Sequence, residues 1–249
     1  DHPEEYELRF ALSRIYMTSD RATSYNVLRE IIALDVDGAD AQSARSGIAA
    51  FAWMLDNDRA TAEAMANEML VIEEGNHRAL QLRAIFRRLD NNNIGAISDL
   101  RAVLKSDPTS VASLLMLGEA HTANNSIDLA LDAYRNALEL SPNNGTGVQK
   151  ISQLLISQGN YPAAEPILTS YLEGFPTNAN AHVLLIESYI LQQRWSDALA
   201  AATALEQQDQ QLARGLYLRG RVLYASEEYP AAIATFEEVL QLEPSAVEA

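Results

Sequence analysis

The stretch from Ser110 to Asn144 reads SVASLLMLGEAHTANNSIDLALDAYRNALELSPNN. It holds two apolar segments, Val111–Thr122 and Leu129–Leu140, which a short polar segment separates. Apolar residues that recur in this way are typical of helices with one buried face. Ser141-Pro142 follows the second segment, and a proline there ends a helix. The stretch therefore predicts a hairpin of two amphipathic helices.

The same pattern recurs through the chain at intervals of 34 residues. Alanines stand at this interval at positions Ala62, Ala96, Ala130, Ala164, Ala198 and Ala232. Prolines keep the same interval at Pro108, Pro142, Pro176 and Pro244, and Gln210 occupies the one position where the proline is missing. A fixed period of this length is the signature of a repeat protein, in which each repeat packs against its neighbours.

The residues at matching positions also resemble a known family. In the quoted stretch they are Leu114, Leu117, Gly118, His121, Ala130, Tyr134, Ala137 and Pro142. This order of large, small and aromatic positions resembles the tetratricopeptide repeat (TPR). The resemblance covers essentially the whole chain and implies an all-α superhelix, or solenoid, of about seven helical hairpins. The expected repeats form one array over residues 1–249, with units at 5–38, 39–76, 77–110, 111–144, 145–178, 179–212 and 213–246.

Two departures from a regular array are expected. The second unit is four residues longer than the others, which predicts an extra helical turn or a longer loop between Asp37 and Ser43. Pro3 and Pro244 both fall where the pattern would continue, and neither end offers a polar capping helix. We therefore expect a fragment of a longer array.

The composition excludes several classes of function. The 249-residue chain carries a formal net charge of -16, which disfavours nucleic acid because a basic surface supplies most of that affinity. No apolar run is long enough to span a membrane, so no direct membrane insertion is expected. The acidic, alanine- and glutamine-rich style resembles bacterial envelope proteins that organise exopolysaccharide or pilus assembly. This favours the periplasm or cell envelope over the cytoplasm.

No residues are arranged for catalysis, and none suggest a cofactor or a metal site. The chain has no cysteine and no glycine-rich phosphate motif, and its four histidines are scattered. We therefore predict that it is not an enzyme. Trp53 and Trp195 keep the 34-residue interval with other large residues, which indicates helix packing rather than ligand stacking.

The candidate site comes from the first helix of each repeat, which in TPR proteins lines a concave groove. In the last repeat Leu216, Gly220 and Leu223 share one helical face. The opposite face carries Arg214, Tyr217, Arg221 and Tyr224. Arginine beside tyrosine is a mixture that anchors protein interfaces, although arginine also lies over apolar surface in solvated faces.

The same spacing predicts equivalent groove positions in other repeats. They are Tyr6, Arg9, Ser13 and Tyr16 in the first repeat, Arg78, Gln81, Ile85 and Arg88 in the third, and Gln149, Gln153 and Ile156 in the fifth. The partner-binding residues predicted among them are Tyr6, Arg9, Tyr16, Arg78, Arg88, Gln149 and Gln153, together with the row in the last repeat.

The sequence favours a non-catalytic scaffold that holds a peptide or a partner helix in its groove. Groove tyrosines together with Gln149, Gln153 and Asn180 leave a carbohydrate-binding or polysaccharide-guiding module as the alternative. A regulatory domain of a larger enzyme is a third interpretation. The carboxylate clamp of chaperone adaptors and the asparagine ladder of glycosyltransferase-linked TPR proteins do not match the groove residues.

Overall fold

The computed structural model describes residues 3–208 and 211–242, and within these ranges it contains fourteen helices and no strand. The helices are α1 (Pro3–Ser19), α2 (Arg21–Leu34), α3 (Ala39–Met54), α4 (Arg59–Ile72), α5 (His77–Leu89), α6 (Asn93–Ser106), α7 (Val111–Ala123), α8 (Ile127–Leu140), α9 (Gly145–Ser157), α10 (Tyr161–Gly174), α11 (Ala179–Leu191), α12 (Trp195–Glu206), α13 (Leu212–Ala225) and α14 (Tyr229–Leu242). The all-α prediction is confirmed, with a first and a second helix in each of the seven expected repeats.

The chain divides after Ala130 into two compact units, residues 1–130 and 131–249. In the first unit, α2 packs against α1 and α3, α4 against α3 and α5, and α6 against α5 and α7. In the second unit, α10 packs against α9 and α11, and α12 against α11 and α13. Each of these second helices therefore joins two successive repeats. The further unit predicted to begin at Pro244 lies outside the described residues.

The 34-residue alanines form the contact surface of the second helices. Five of them, from Ala62 to Ala198, are completely buried, and Ala232 is 2% exposed. A methyl side chain lets two helices approach more closely than a branched side chain would, so these positions accept little increase in volume. The interval that identified the repeat therefore marks its core.

Capping residues fix where four of the first helices, α5, α7, α9 and α11, begin. Asn76, Ser110, Asn144 and Asn178 stand 34 residues apart, and each side chain accepts a hydrogen bond from the backbone N–H three residues later. The Asn144 Oδ1–Gly147 N distance, for example, is 2.8 Å. Such caps satisfy one of the free N–H groups of a helix start and contribute about 1 kcal/mol each.

Left-handed residues fix the turn between the two helices of a repeat. Positive φ angles of 53° to 70° occur once in each of six repeats, at Asn57, Asn91, Asn125, Gly159, Gln193 and Glu227. Asparagine and glycine adopt this conformation at low cost, and they occupy four of the six positions. Gln193 and Glu227 adopt it without that advantage, which shows that the turn geometry overrides the local preference.

The extra residues of the second repeat extend a helix. α3 has 16 residues, whereas α5, α7, α9 and α11 have 13 each. The turn that follows α3, residues 55–58, is also longer than the corresponding turns by one residue. The extra helical turn expected near Asp37 to Ser43 is therefore present, at the start of α3.

A buried carboxylate joins the two helices of the third repeat. Asp99 on α6 is 3% exposed, and its two oxygens accept hydrogen bonds from Arg83 on α5 at 3.0 and 2.7 Å. Arg87 lies 2.8 Å from the same carboxylate. The cluster of arginines on α5 thus has an internal role that the sequence did not reveal, because the carboxylate partner comes from the next helix.

Replacing Asp99 should destabilise the protein. Asp99→Ala removes the carboxylate that two partly buried guanidinium groups share, and we expect a loss of about 1–3 kcal/mol in the free energy of unfolding. Urea unfolding followed by circular dichroism measures it. Asp132→Ala, which removes an exposed carboxylate 3.4 Å from Arg135, is the control and should leave the midpoint unchanged. Equal midpoints for Asp99→Ala and the control would contradict a structural role for Asp99.

Candidate functional site

The candidate site lies on the groove faces, which we define as the exposed faces of first helices opposite the residues that pack in the core. On α13, Leu216 and Leu223 are buried toward the rest of the unit. Arg214, Tyr217, Arg221 and Tyr224 lie on the opposite side, and all four are exposed. We call these four residues the α13 row. Tyr217 is 48% and Tyr224 64% exposed, a large aromatic area in contact with solvent.

The α13 row is only loosely tied to the surrounding structure. The Arg214 guanidinium lies 3.4 Å from Asn180 Oδ1 on α11, a long hydrogen bond. The Tyr217 ring lies 6.0 Å from Phe236, and the Tyr224 ring packs edge-on against Tyr229 at 5.7 Å. Arg221 has no ion pair among the described residues of its unit. Its charge is therefore available to a partner.

The predicted residues of the fifth repeat fall on α9. Gln153 is exposed, and Gln149 lines a small polar cavity of about 170 Å³ in the second unit. Tyr171, Asn178 and Asn180 also line this cavity, and Asn178 Nδ2 lies 3.3 Å from the Tyr171 hydroxyl. The structure thus places hydrogen-bonding groups side by side here.

The predicted residues of the third repeat lie in different settings on α5. Arg88 is partly buried and forms an ion pair with Glu119 at 3.1 Å. Arg78 is exposed, and only a 3.4 Å contact joins its guanidinium to Ser46 Oγ on α3. Of the two arginines, Arg78 is therefore the one whose charge a partner can reach.

In the first repeat, the predicted groove residues mostly contact other residues of the first unit. Ser13 is 2% exposed and shares a 2.8 Å hydrogen bond with Ser24 on α2. Arg9 forms ion pairs with Glu5 and with Glu30 of α2. Tyr6 packs against the core between α2 and α3, and Tyr16 is half-buried. These residues therefore have partners inside the first unit, and Ser13 also lines a pocket there.

A shorter turn between α1 and α2 accounts for this placement of the α1 side chains. In the third to seventh repeats three residues separate the two helices, whereas Asp20 alone separates α1 from α2. No left-handed residue is present in this turn. Because each residue of an α-helix is rotated by about 100° from the last, a shift of one position moves a different set of side chains into the groove. The missing asparagine or glycine before Asp20 was the signal in the sequence.

Other residues of α1 line a large pocket in the first unit. It has a volume of about 950 Å³, within the range of sites that hold small ligands or side chains. Its lining comes from α1, α2, α3 and the start of α5 and includes Glu7, Phe10, Ser13, Arg14, Leu28, Gly47, Phe51 and Arg78. We call it the α1–α3 pocket. Glu7, Phe10 and Arg14 each stand one residue after a predicted groove position.

Comparison with known proteins shows the family. Models of the tetratricopeptide repeat match residues 91–145, 155–222 and 213–246. Together these matches extend over more than half of the chain. The chain belongs to the tetratricopeptide repeat family.

Individual TPR relatives are distant. The chain is 28% identical over 149 residues to a peroxisomal targeting signal receptor from Kluyveromyces lactis, covering 58% of this chain and 26% of that protein. It thus spans about a quarter of that relative's length.

Two solved structures show the same fold. One is PilW, a type IV pilus biogenesis factor, with a TM-score of 0.65, 19% identity and coverage of 84% of this chain and 96% of PilW. The other is YrrB, a TPR protein with an unusual peptide-binding site, with a TM-score of 0.52, 16% identity and coverage of 72% and 93%.

Three other expectations concern packing, metals and membranes. Trp53 packs edge-on against Phe86 at 5.1 Å, in line with a packing role. Within the described residues, no three His, Asp or Glu side chains are grouped to hold a metal. No helix in the described ranges has the length and apolar character needed to cross a membrane.

Two glycines on first helices should respond oppositely to alanine. A Cβ at Gly215 would stand 2.5 Å from the backbone nitrogen of Glu206, so α13 has to move away from α12. A Cβ at Gly47 meets only Leu28 Cδ1, at an ordinary 3.5 Å. We expect Gly215→Ala to destabilise the protein by about 1–3 kcal/mol and Gly47→Ala to stabilise it by about 0.5–1 kcal/mol. Thermal unfolding checks both, and a stabilising Gly215→Ala would contradict the close contact.

Proposed function

We propose that this TPR array is a non-catalytic scaffold that holds a peptide or a helix of a partner protein. The observation that supports it is the α13 row, in which two tyrosines and two arginines are exposed on one helical face. Tyrosine offers a rigid apolar surface at low cost in conformational entropy, and arginine offers planar groups of hydrogen-bond donors. Both are enriched where partner proteins bind.

The free charge of Arg221 strengthens this proposal. The chain carries 34 acidic and 18 basic residues, so a surface arginine easily finds a carboxylate. Arg219, on the same helix, illustrates this, because its guanidinium lies 3.0 Å from Glu206 and 3.5 Å from Glu238. Arg221 stays unpaired among the described residues, two positions further along. A partner that brings a carboxylate to it gains a charge-assisted hydrogen bond without breaking an existing pair.

The comparisons support a protein or peptide as the bound partner. YrrB shares the fold and has a peptide-binding site, and the Kluyveromyces lactis relative is a receptor for a targeting signal. We carry over only the general mode of binding, since the sequence of this chain differs from both at most positions.

We further propose a role in assembly at the bacterial cell envelope, with the periplasm as the favoured compartment. The acidic, alanine-rich composition motivates it, and the fold shared with the pilus biogenesis factor PilW supports it. Exopolysaccharide assembly belongs to the same proposal.

Carbohydrate binding is the second candidate. The polar cavity of the second unit brings Gln149, Asn178, Asn180 and the Tyr171 hydroxyl together. Amides and hydroxyls of this kind donate and accept hydrogen bonds with sugar hydroxyls. The volume of about 170 Å³ is small, which favours one sugar unit or less inside the cavity.

Affinity capture with matched variants tests the main proposal. The wild-type chain, Arg221→Glu and Arg135→Glu are immobilised in equal amounts and exposed to native lysate. Retained proteins and polysaccharides are then quantified. Arg135 is an exposed arginine on α8, away from the α13 row. We expect one or more proteins to bind the wild type and Arg135→Glu, and to bind Arg221→Glu about tenfold less.

Circular dichroism spectra of the three proteins should coincide, because Arg221 is exposed. Identical capture by all three proteins would remove the α13 row from the binding site. Retention of a polysaccharide in place of a protein would favour the second candidate.

A further inference from the structure

The α1–α3 pocket carries an inference about the chemistry of the bound peptide, which rests on the proposed scaffold role. Its floor is apolar and comes from two aromatic rings, Phe10 of α1 and Phe51 of α3, with Ala11 and Leu28 beside them. Burying an aliphatic or aromatic side chain on such a floor is favourable by about 25 cal/mol per Å² of apolar surface.

Gly47 keeps this floor open. It lies within α3, where glycine weakens a helix relative to alanine. The fold does not require the missing side chain, since a Cβ there would meet only Leu28 Cδ1 at 3.5 Å. Gly47 and Leu28 both line the pocket, so a larger residue at position 47 would occupy the space that a ligand needs. The open volume at Gly47 therefore serves binding rather than packing.

Most arginines of the first unit are paired, but two arginines on the pocket have no carboxylate partner within the part of the chain that the structure describes. Those with a carboxylate within 4 Å are Arg9, Arg21, Arg45, Arg59, Arg83, Arg87 and Arg88. Arg14 and Arg78, which line the pocket, have no such partner among the described residues. Two further arginines, Arg29 and Arg101, share this state but lie on second helices.

The charges around the pocket favour an anionic ligand with an apolar centre. In a chain of net charge -16, two unpaired guanidinium groups beside an apolar floor form a local positive field. One acidic side chain, Glu7, also lines the pocket, so the surface is not uniformly basic. A nucleic acid would bring a dense row of phosphates against this acidic protein, whereas a peptide with a few carboxylates matches two arginines.

We propose that the α1–α3 pocket binds an internal acidic peptide segment. An aliphatic or aromatic side chain of this segment rests on Phe10 and Phe51, and flanking aspartates or glutamates pair with Arg14 and Arg78. Arginine binds carboxylates with two parallel hydrogen bonds, so the arginines supply specificity as well as affinity. The apolar contact and the two charges act together, which distinguishes this peptide from a purely acidic or a purely apolar one.

A fluorescence anisotropy titration of the 249-residue chain at physiological salt tests the proposal. The probe is a fluorescein-labelled, C-terminally amidated peptide with a central Leu-Phe pair and aspartates on both sides. One control peptide replaces the aspartates with asparagines, and another replaces Leu-Phe with two alanines. We expect each control to bind about tenfold more weakly than the probe. Equal affinity for the probe and either control overturns the proposal.

Protein variants locate the site. Arg14→Glu and Arg78→Glu should each weaken probe binding about tenfold. The control is Arg29→Glu, because Arg29 has no ion pair among the described residues but lies on α2, outside the pocket lining, and it should leave binding unchanged. The double variant Arg14→Glu/Arg78→Glu should instead bind a lysine-flanked Leu-Phe peptide more tightly than the wild type does. A purely structural role of the two arginines predicts no such reversal. Equal effects of all three single variants overturn the assignment.

Position 47 provides an independent readout. Gly47→Leu should weaken the probe about tenfold by filling the pocket, without a lower melting temperature. Gly47→Ala, which fits with ordinary contacts, should weaken it less while raising the melting temperature. Unchanged affinity in both variants overturns the pocket. Binding of dodecanoate, an apolar anion that is not a peptide, without binding of the probe would also overturn the proposal.

The outcomes separate this proposal from the scaffold role. If Arg221→Glu abolishes partner capture but the probe does not discriminate, the α1–α3 pocket is excluded and the scaffold stands. If Arg221→Glu has no effect while the probe, Arg14→Glu and Arg78→Glu behave as expected, peptide binding belongs to the first unit alone.

Discussion

The turn between the two helices of a repeat is the constraint on which the rest of the structure depends. A left-handed residue stands in this turn in six repeats, and its position sets how the first helix is rotated against the second. That rotation decides which side chains are buried against the neighbouring helix and which remain on the groove face. The core and the candidate site are therefore two consequences of one local geometry.

The first repeat shows the effect of a change in this turn. With one residue between α1 and α2, Ser13 lies in the contact between the helices and bonds to Ser24. The groove face then passes to Glu7, Phe10 and Arg14. A pocket lined by Phe10 and Arg14 therefore arises where the unshifted register predicts Tyr6 and Arg9.

The distribution of ion pairs gives the groove its chemical character. The protein is strongly acidic, and most of its arginines are held by carboxylates inside or between repeats. Arg14, Arg78 and Arg221 escape this pairing among the described residues, and all three lie on groove faces. The same holds for Arg214 on α13, whereas Arg29 and Arg101 are equally unpaired in the described part of the chain but lie on second helices. Such unpaired guanidinium groups are favourable sites for a partner's carboxylates, because binding there does not require an existing ion pair to be broken.

The sequence by itself determined the fold and much of the α13 row. Alanines and prolines recur every 34 residues, and they report helix periodicity and backbone preference. Both are local properties that repeat from unit to unit, so the sequence alone reveals them. The tertiary structure alone decided the ion pairs of Asp99, the register of α1 and the open pocket beside Gly47. Each of these depends on how one helix is rotated and placed against another, and a shift of a single residue, about 100°, is enough to exchange a buried side chain for an exposed one.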